Sequence, residues 1–172
     1  VDYHHEELRD HVWINENEIP DNGIDDDGNG YVDDVNGWNF ASISKDPFDD
    51  NSHGTHCAGI IAGEGIRTYG VAPEVTIMPL KFLNKNGSGT TAHAISAIDY
   101  AIKMGAKVLS NSWGGSEYSK ALEEIIVKAN EEGIIFTAAA GNYGQNLDEH
   151  KMFPASYRVG NVISVANINP EG

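Results

Sequence analysis

From residue 75 to residue 168 the chain alternates short β-rich runs with helix-period segments, and that alternation constrains its fold more than any other feature. "VTIMPLKFL" (75–83), "KVLSNS" (107–112), "IIFTAAA" (134–140) and "NVISVANI" (161–168) read as strands. Between them, "TAHAISAIDYAIKMG" (91–105) sets Ala94, Ile95, Ile98, Ala101 and Ile102 on one helical face. "SKALEEIIVKANEEG" (119–133) is a second amphipathic helix, and Gly105 and Gly133 suit the two stops. Strands joined through helices need right-handed crossovers. The expected fold is therefore α/β, a three-layer parallel sheet with helices on both faces. Ligands on such sheets bind beyond the carboxyl ends of the strands. That directs attention to the turns "NKNGSG" (84–89), "NSWGG" (111–115) and "AAAGNYG" (138–144), whose small residues let another backbone approach. Taken singly, each is also an ordinary strand-to-helix turn.

Composition narrows the partners. Acids outnumber bases 26 to 11, a formal charge of -15, which argues against a nucleic-acid partner. No apolar run is long enough to span a bilayer. Cys57 is the only cysteine, so no internal disulfide forms.

"DDNSHGTHCAGIIAG" (49–63) raises the sharpest chemical question. As zinc ligands, His53 and His56 lack the i, i+4 spacing and the glutamate of a metalloprotease helix. As structural residues, they stand at a helix start behind Asn51 or Ser52, both good caps. As catalytic groups, His53 is the general base of a nucleophilic site, which needs an acid on one ring nitrogen and a nucleophile on the other. Cys57, four residues after His53, shares its helix face and reads by itself as a buried small hydrophobe.

In order along the chain, "NSHGTHCAGIIAG", "GVAPEVTIMPLKFL", "NGSGT", "NSWGG" and "AAAGNYG" resemble the subtilisin-like serine proteases, the subtilases. The resemblance runs over residues 1–172 and implies a partial catalytic domain with an acidic insertion at about 21–36. It implies that His53 is the triad base and that Asn142 donates to the oxyanion. Ser112, Trp113 and Gly114 become an edge along which substrate pairs as an added strand. Gly115, Ala140 and Gly141 wall the primary specificity pocket, and Gly87 and Gly89 make the facing edge. Cys57 then lies beneath the histidine, as in the proteinase K branch. Asp2 is not the equivalent of the family's aspartate, which falls upstream of Val1, and the nucleophilic serine falls past Gly172. The resemblance also puts a strand that these residues lack between 75–83 and 107–112. The chain by itself is thus expected to be inactive, with the segments carrying aspartate and serine, a propeptide, and a peptide or protein substrate as its partners. A secreted location goes with that reading. The competing one is a non-catalytic relative or processed piece that binds calcium and peptide.

The acidic stretch "DDDGNGYVDD" (25–34) has its own logic. Asp25, Asp27 and Asn29 alternate, Gly30 allows a sharp turn, Tyr31 offers a carbonyl and Asp33 follows, as in the first nine positions of a Ca²⁺ loop. The bidentate glutamate of position 12 is replaced by Asn36, and Asp34 is the residue that could close the shell. The other reading is a merely solvated acidic turn, against which so many like charges in one loop repel without a cation. By the resemblance, Glu7 matches a position where many subtilases carry a calcium-binding aspartate, served by carbonyls of a loop matched here by 64–69. The other reading of Glu7 is a plain surface carboxylate.

Overall fold

The computed structural model describes residues 1–169. Its elements run β1 (Trp38–Asn39), α1 (His53–Ala62), β2 (Leu80–Lys81), α2 (Thr91–Lys103), β3 (Val108–Asn111), α3 (Lys120–Glu131), β4 (Ile135–Ala139) and β5 (Val162–Val165), after one 3-10 turn at Arg9–His11. All ladder pairings between these strands are parallel, so the architecture is α/β. Two compact units divide the chain, Val1–Ala97 and the residues from Ile98 onward.

In the first unit, β1 pairs with β2, and a parallel bridge joins Val12 to Ile77. The nine-residue strand expected at 75–83 is thus reduced to Leu80–Lys81 and one bridge at Ile77. The reason lies partly in its composition: Pro79 carries no N–H and cannot donate to a ladder. At Gly37, an added Cβ would stand 2.1 Å from the Pro79 carbonyl oxygen, so β1 reaches β2 only because that residue has no side chain.

In the second unit the order is β3–β4–β5, with Leu109 opposite Phe136 and Phe136 opposite Val162. Helix α3 packs on β4, burying Leu122, Ile126 and Ala129 on its side and Phe136 and Ala138 on the strand's. The Ser119 hydroxyl caps α3 by accepting the Leu122 N–H at 3.3 Å. Gly133, at φ +71°, ends it in the left-handed conformation that glycine adopts without strain. On the other face of this sheet, Val108, Ile135, Ile163 and Val165 remain about half exposed. Strands β2 and β3 belong to separate sheets.

Candidate active site and acidic loop

His53 is the first residue of α1, and its ring is exposed. The helix start is built differently from expectation. Neither Asn51 nor Ser52 caps it with a side chain; Ser52 sits at φ +82°, a left-handed conformation costing a non-glycine residue about 1–3 kcal/mol. Asp49 holds this turn. Its Oδ1 accepts the N–H groups of Asn51 (2.8 Å) and Ser52 (2.9 Å), and its Oδ2 accepts the N–H (2.9 Å) and hydroxyl (2.6 Å) of Thr55. Burial alone would raise the Asp49 pKa, but the Thr55 hydroxyl and the three amides outweigh it and hold the carboxyl well below the usual carboxylate range. Cys57 Sγ lies 3.9 Å from His53 Nε2, one turn along the helix, and is only partly buried. The Asn51 side chain donates to the Lys85 carbonyl (2.8 Å), tying the approach to His53 to the turn that carries Gly87 and Gly89, both exposed.

A pH consequence follows. A carboxylate with a depressed pKa in the folded state stabilises it above the ordinary value of 3.8, and that contribution fades as pH falls through the folded-state value. Acid titration followed by amide exchange at residues 51–55 is expected to show this turn opening below about pH 4. Asp49→Asn should lack that step and be weaker at neutral pH by about 1 kcal/mol, because an amide keeps only one of the two acceptor oxygens that hold Asn51, Ser52 and Thr55.

In the second unit, Trp113 donates its indole N–H to Asn111 Oδ1 (3.1 Å), and Asn111 in turn donates to the Leu109 carbonyl (3.0 Å). This fixes the chain where it leaves β3, ahead of Gly114. Gly115 and Phe153 then form an antiparallel bridge with two 2.8 Å hydrogen bonds. The bridge delivers Met152, which no sequence motif had marked. An added Cβ would meet Met152 Sδ at 3.3 Å from Gly114 and at 2.7 Å from Gly141. The thioether therefore fills the space between the two loops expected to wall the specificity pocket. It lines an open depression of about 670 Å³ with Gly114, Gly115, Ser116 and Tyr143, and a second one with Ala140, Gly141 and Asn142. Ser112 and Asn142 are exposed.

The acidic loop gathers around Glu18, a second residue missing from the sequence reading. Carboxylate oxygens of Glu18, Asp27 and Asp34 lie within 4.8 Å of one another, with Glu18 and Asp34 buried. Asn15 donates to both Asp27 and Asp34 at 3.0 Å, and Asn29 donates to Asp27 (3.1 Å) and Asp34 (2.9 Å). Asp25 accepts the N–H groups of Asn29 (3.0 Å) and Gly30 (2.8 Å). Glu18 accepts the N–H groups of Asp26 (2.8 Å) and Asp33 (2.9 Å), which folds the 25–34 loop over it.

Two of the expected ligand carboxylates, Asp33 and Glu7, are engaged by other groups. The Asp33 carboxylate faces Lys45 (3.2 Å) and the amides of Asn22 and Gly23. Burial opposes its charge, but the Lys45 ammonium and those amides keep its pKa low. Tyr31 packs its ring on Trp38 and Phe40, whereas the ligand expected from this residue is its main-chain carbonyl. Glu7 is not a surface carboxylate: it is 3 % exposed, and the groups aimed at it from 65–68 are amide N–H donors rather than carbonyls.

The profile of the subtilase family matches residues 1–172. The chain belongs to the subtilase family. It is 38 % identical to thermitase of Thermoactinomyces vulgaris over 136 residues, covering 77 % of this chain and 47 % of thermitase. It is 37 % identical over 146 residues to subtilisin-like protease 1 of Plasmodium vivax, covering 83 % of this chain and 23 % of that protein. Among solved structures, a cold-adapted subtilisin-like serine proteinase matches with a TM-score of 0.65 and 35 % identity, covering 74 % of this chain and 44 % of the other. This subtilase chain thus spans less than half the length of each of these relatives. None of its described helices is long and apolar enough to cross a membrane.

Proposed function

We propose that this chain is the central part of a secreted, calcium-stabilised serine endopeptidase, spanning residues 1–172 of its catalytic domain. The observation that carries the reading is His53, exposed at the start of a helix whose first turn is fixed by Asp49 and whose next turn puts Cys57 beneath the ring. In this mechanism substrate pairs along Ser112–Gly114, with Gly87 and Gly89 as the facing edge. His53 takes the proton of a serine hydroxyl as that oxygen attacks the scissile carbonyl, and then returns it to the leaving amine. The Asn142 side chain donates to the oxyanion as charge develops on it. Aspartate and serine come from segments outside these residues. Neutralising the acidic loop is the contribution of calcium, which Asp25, Asp27, Asn29, Asp34 and Glu18 would hold. Two buried carboxylates beside a third make that fit reasonable.

The deciding experiment is labelling by a fluorophosphonate of a polypeptide that joins these residues to the aspartate and serine segments. Labelling that depends on His53 supports the endopeptidase. No labelling, with peptide still bound along 112–114, favours a calcium- and peptide-binding module instead.

Met152 gives a prediction about selectivity. Its side chain occupies the floor between Gly114 and Gly141, so Met152→Ala should favour bulkier side chains on the acyl side of the cleaved bond. The expected gain in kcat/KM for phenylalanine over alanine is roughly 10-fold or more, read from a matched pair of peptides. An unchanged ratio removes Met152 from the pocket.

A further inference from the structure

We infer that Glu7 takes the place of a metal ion in the loop after α1, so that the helix carrying His53 is anchored without calcium. Glu7 Oε2 accepts the N–H groups of Gly65 (3.0 Å) and Ile66 (3.2 Å). Its Oε1 accepts those of Arg67 and Thr68, the latter at 3.1 Å. An ionised carboxylate offers about four lone-pair sites, and four donors fill them. A calcium ion needs six to eight oxygen ligands, so a carboxylate already saturated by N–H groups has nothing left to offer it. Two of the loop's nearby carbonyls are also turned to partners within the loop: Thr68 accepts from Gly65 (3.1 Å) and Gly63 from Gly70 (2.9 Å).

The successive amides of 65–68 instead form a concave anion site, and the chain's own side chain fills it. Position matters here. Helix α1 ends at Ala62, Gly63 donates back to the Gly59 carbonyl, and an antiparallel bridge from Glu64 to Tyr69 closes the loop. A further bond from the Glu64 N–H to the Glu7 carbonyl ties the same two segments through their backbones (3.3 Å). Glu7 is therefore a positioning residue for the helix that presents His53, and any calcium dependence of the chain is left to the acidic loop.

The test is amide hydrogen exchange on the purified chain, in calcium and in chelator, for wild type and Glu7→Gln. The amide of Ile126 in α3 serves as a control for global opening. In wild type, exchange at 65–68 is expected to be the same with calcium and with chelator. In Glu7→Gln, which has a neutral side chain of the same length, those amides should exchange about tenfold faster or more, with no rescue by calcium. Chelator-accelerated exchange at 65–68 in wild type overturns the inference, as does wild-type protection in Glu7→Gln. If Glu7→Gln does not fold, the wild-type comparison decides alone in the same two directions.

Discussion

Replacing His53 by alanine is expected to lower kcat/KM for peptide hydrolysis by about 10⁵–10⁶-fold once these residues are joined to an aspartate and a serine, with little effect on folding. The size follows from the job proposed for the ring. A neutral serine hydroxyl is a weak nucleophile, and only a base within hydrogen-bond reach makes it attack at neutral pH. The stability side follows from position. The ring is exposed, with its Nε2 3.9 Å from Cys57 Sγ, and the helix start rests on Asp49 rather than on His53. The same substitution should leave the calcium-induced rise in Tm intact, which separates a lost base from a damaged fold. Asn142→Ala should cost less, about 10²–10³-fold, because a backbone donor can still serve the oxyanion. Steady-state kinetics on one peptide substrate ranks the two variants; an unchanged kcat for His53→Ala refutes the assignment.

Features set by local chemistry were legible in the sequence. Gly133 ends α3 as expected, and Ala94, Ile98 and Ala101 of the expected α2 stripe are buried, together with Ala97 and Tyr100, whereas Ile95 and Ile102 are only partly so. The strands at 107–112, 134–140 and 161–168 appear in shortened form because each has a ladder partner. The run at 75–83 is just as apolar, but apolarity predicts burial rather than pairing, and its described partners are only Trp38–Asn39 and Val12. Asp49 was hidden in plain view, the first acid of "DDNSH", because a cap three residues upstream of the expected one leaves no helical-period mark. Glu18 lies nine residues before Asp27, across "IPDNG", and only the closed loop brings the two together. Met152 belongs to no motif; its role comes from a bridge between Gly115 and Phe153 that is long-range in sequence. Glu7 was placed beside the correct loop with the wrong polarity, since residue types do not show which way the peptide planes of 65–68 turn.

Calcium should raise the Tm of this chain by about 10 °C at saturating concentration, and EDTA should reverse it. Three carboxylates meet within 4.8 Å, two of them buried, and the cationic side chain beside the loop, Lys45, pairs with Asp21 and Asp33 rather than with them. The asparagine amides of residues 15 and 29 supply dipoles but no net charge. A cation that binds only the folded loop stabilises by mass action, about 4 kcal/mol at a thousand times its Kd. For a chain of this size that is roughly 8–16 °C. Asp34→Asn discriminates between this account and a merely solvated acidic turn. With calcium it should lose most of the Tm gain, since a buried charged ligand is gone. In EDTA it should melt no lower than wild type, because removing one of three crowded like charges relieves repulsion. Magnesium should be a poor substitute, as its strict octahedral shell and reluctance to shed water suit it badly to a cage of protein oxygens. A melting curve that ignores calcium, or an Asp34→Asn variant that keeps the full shift, would remove the metal from this loop and leave its organisation to the Asn15 and Asn29 amides and the backbone N–H groups held by Glu18 and Asp25.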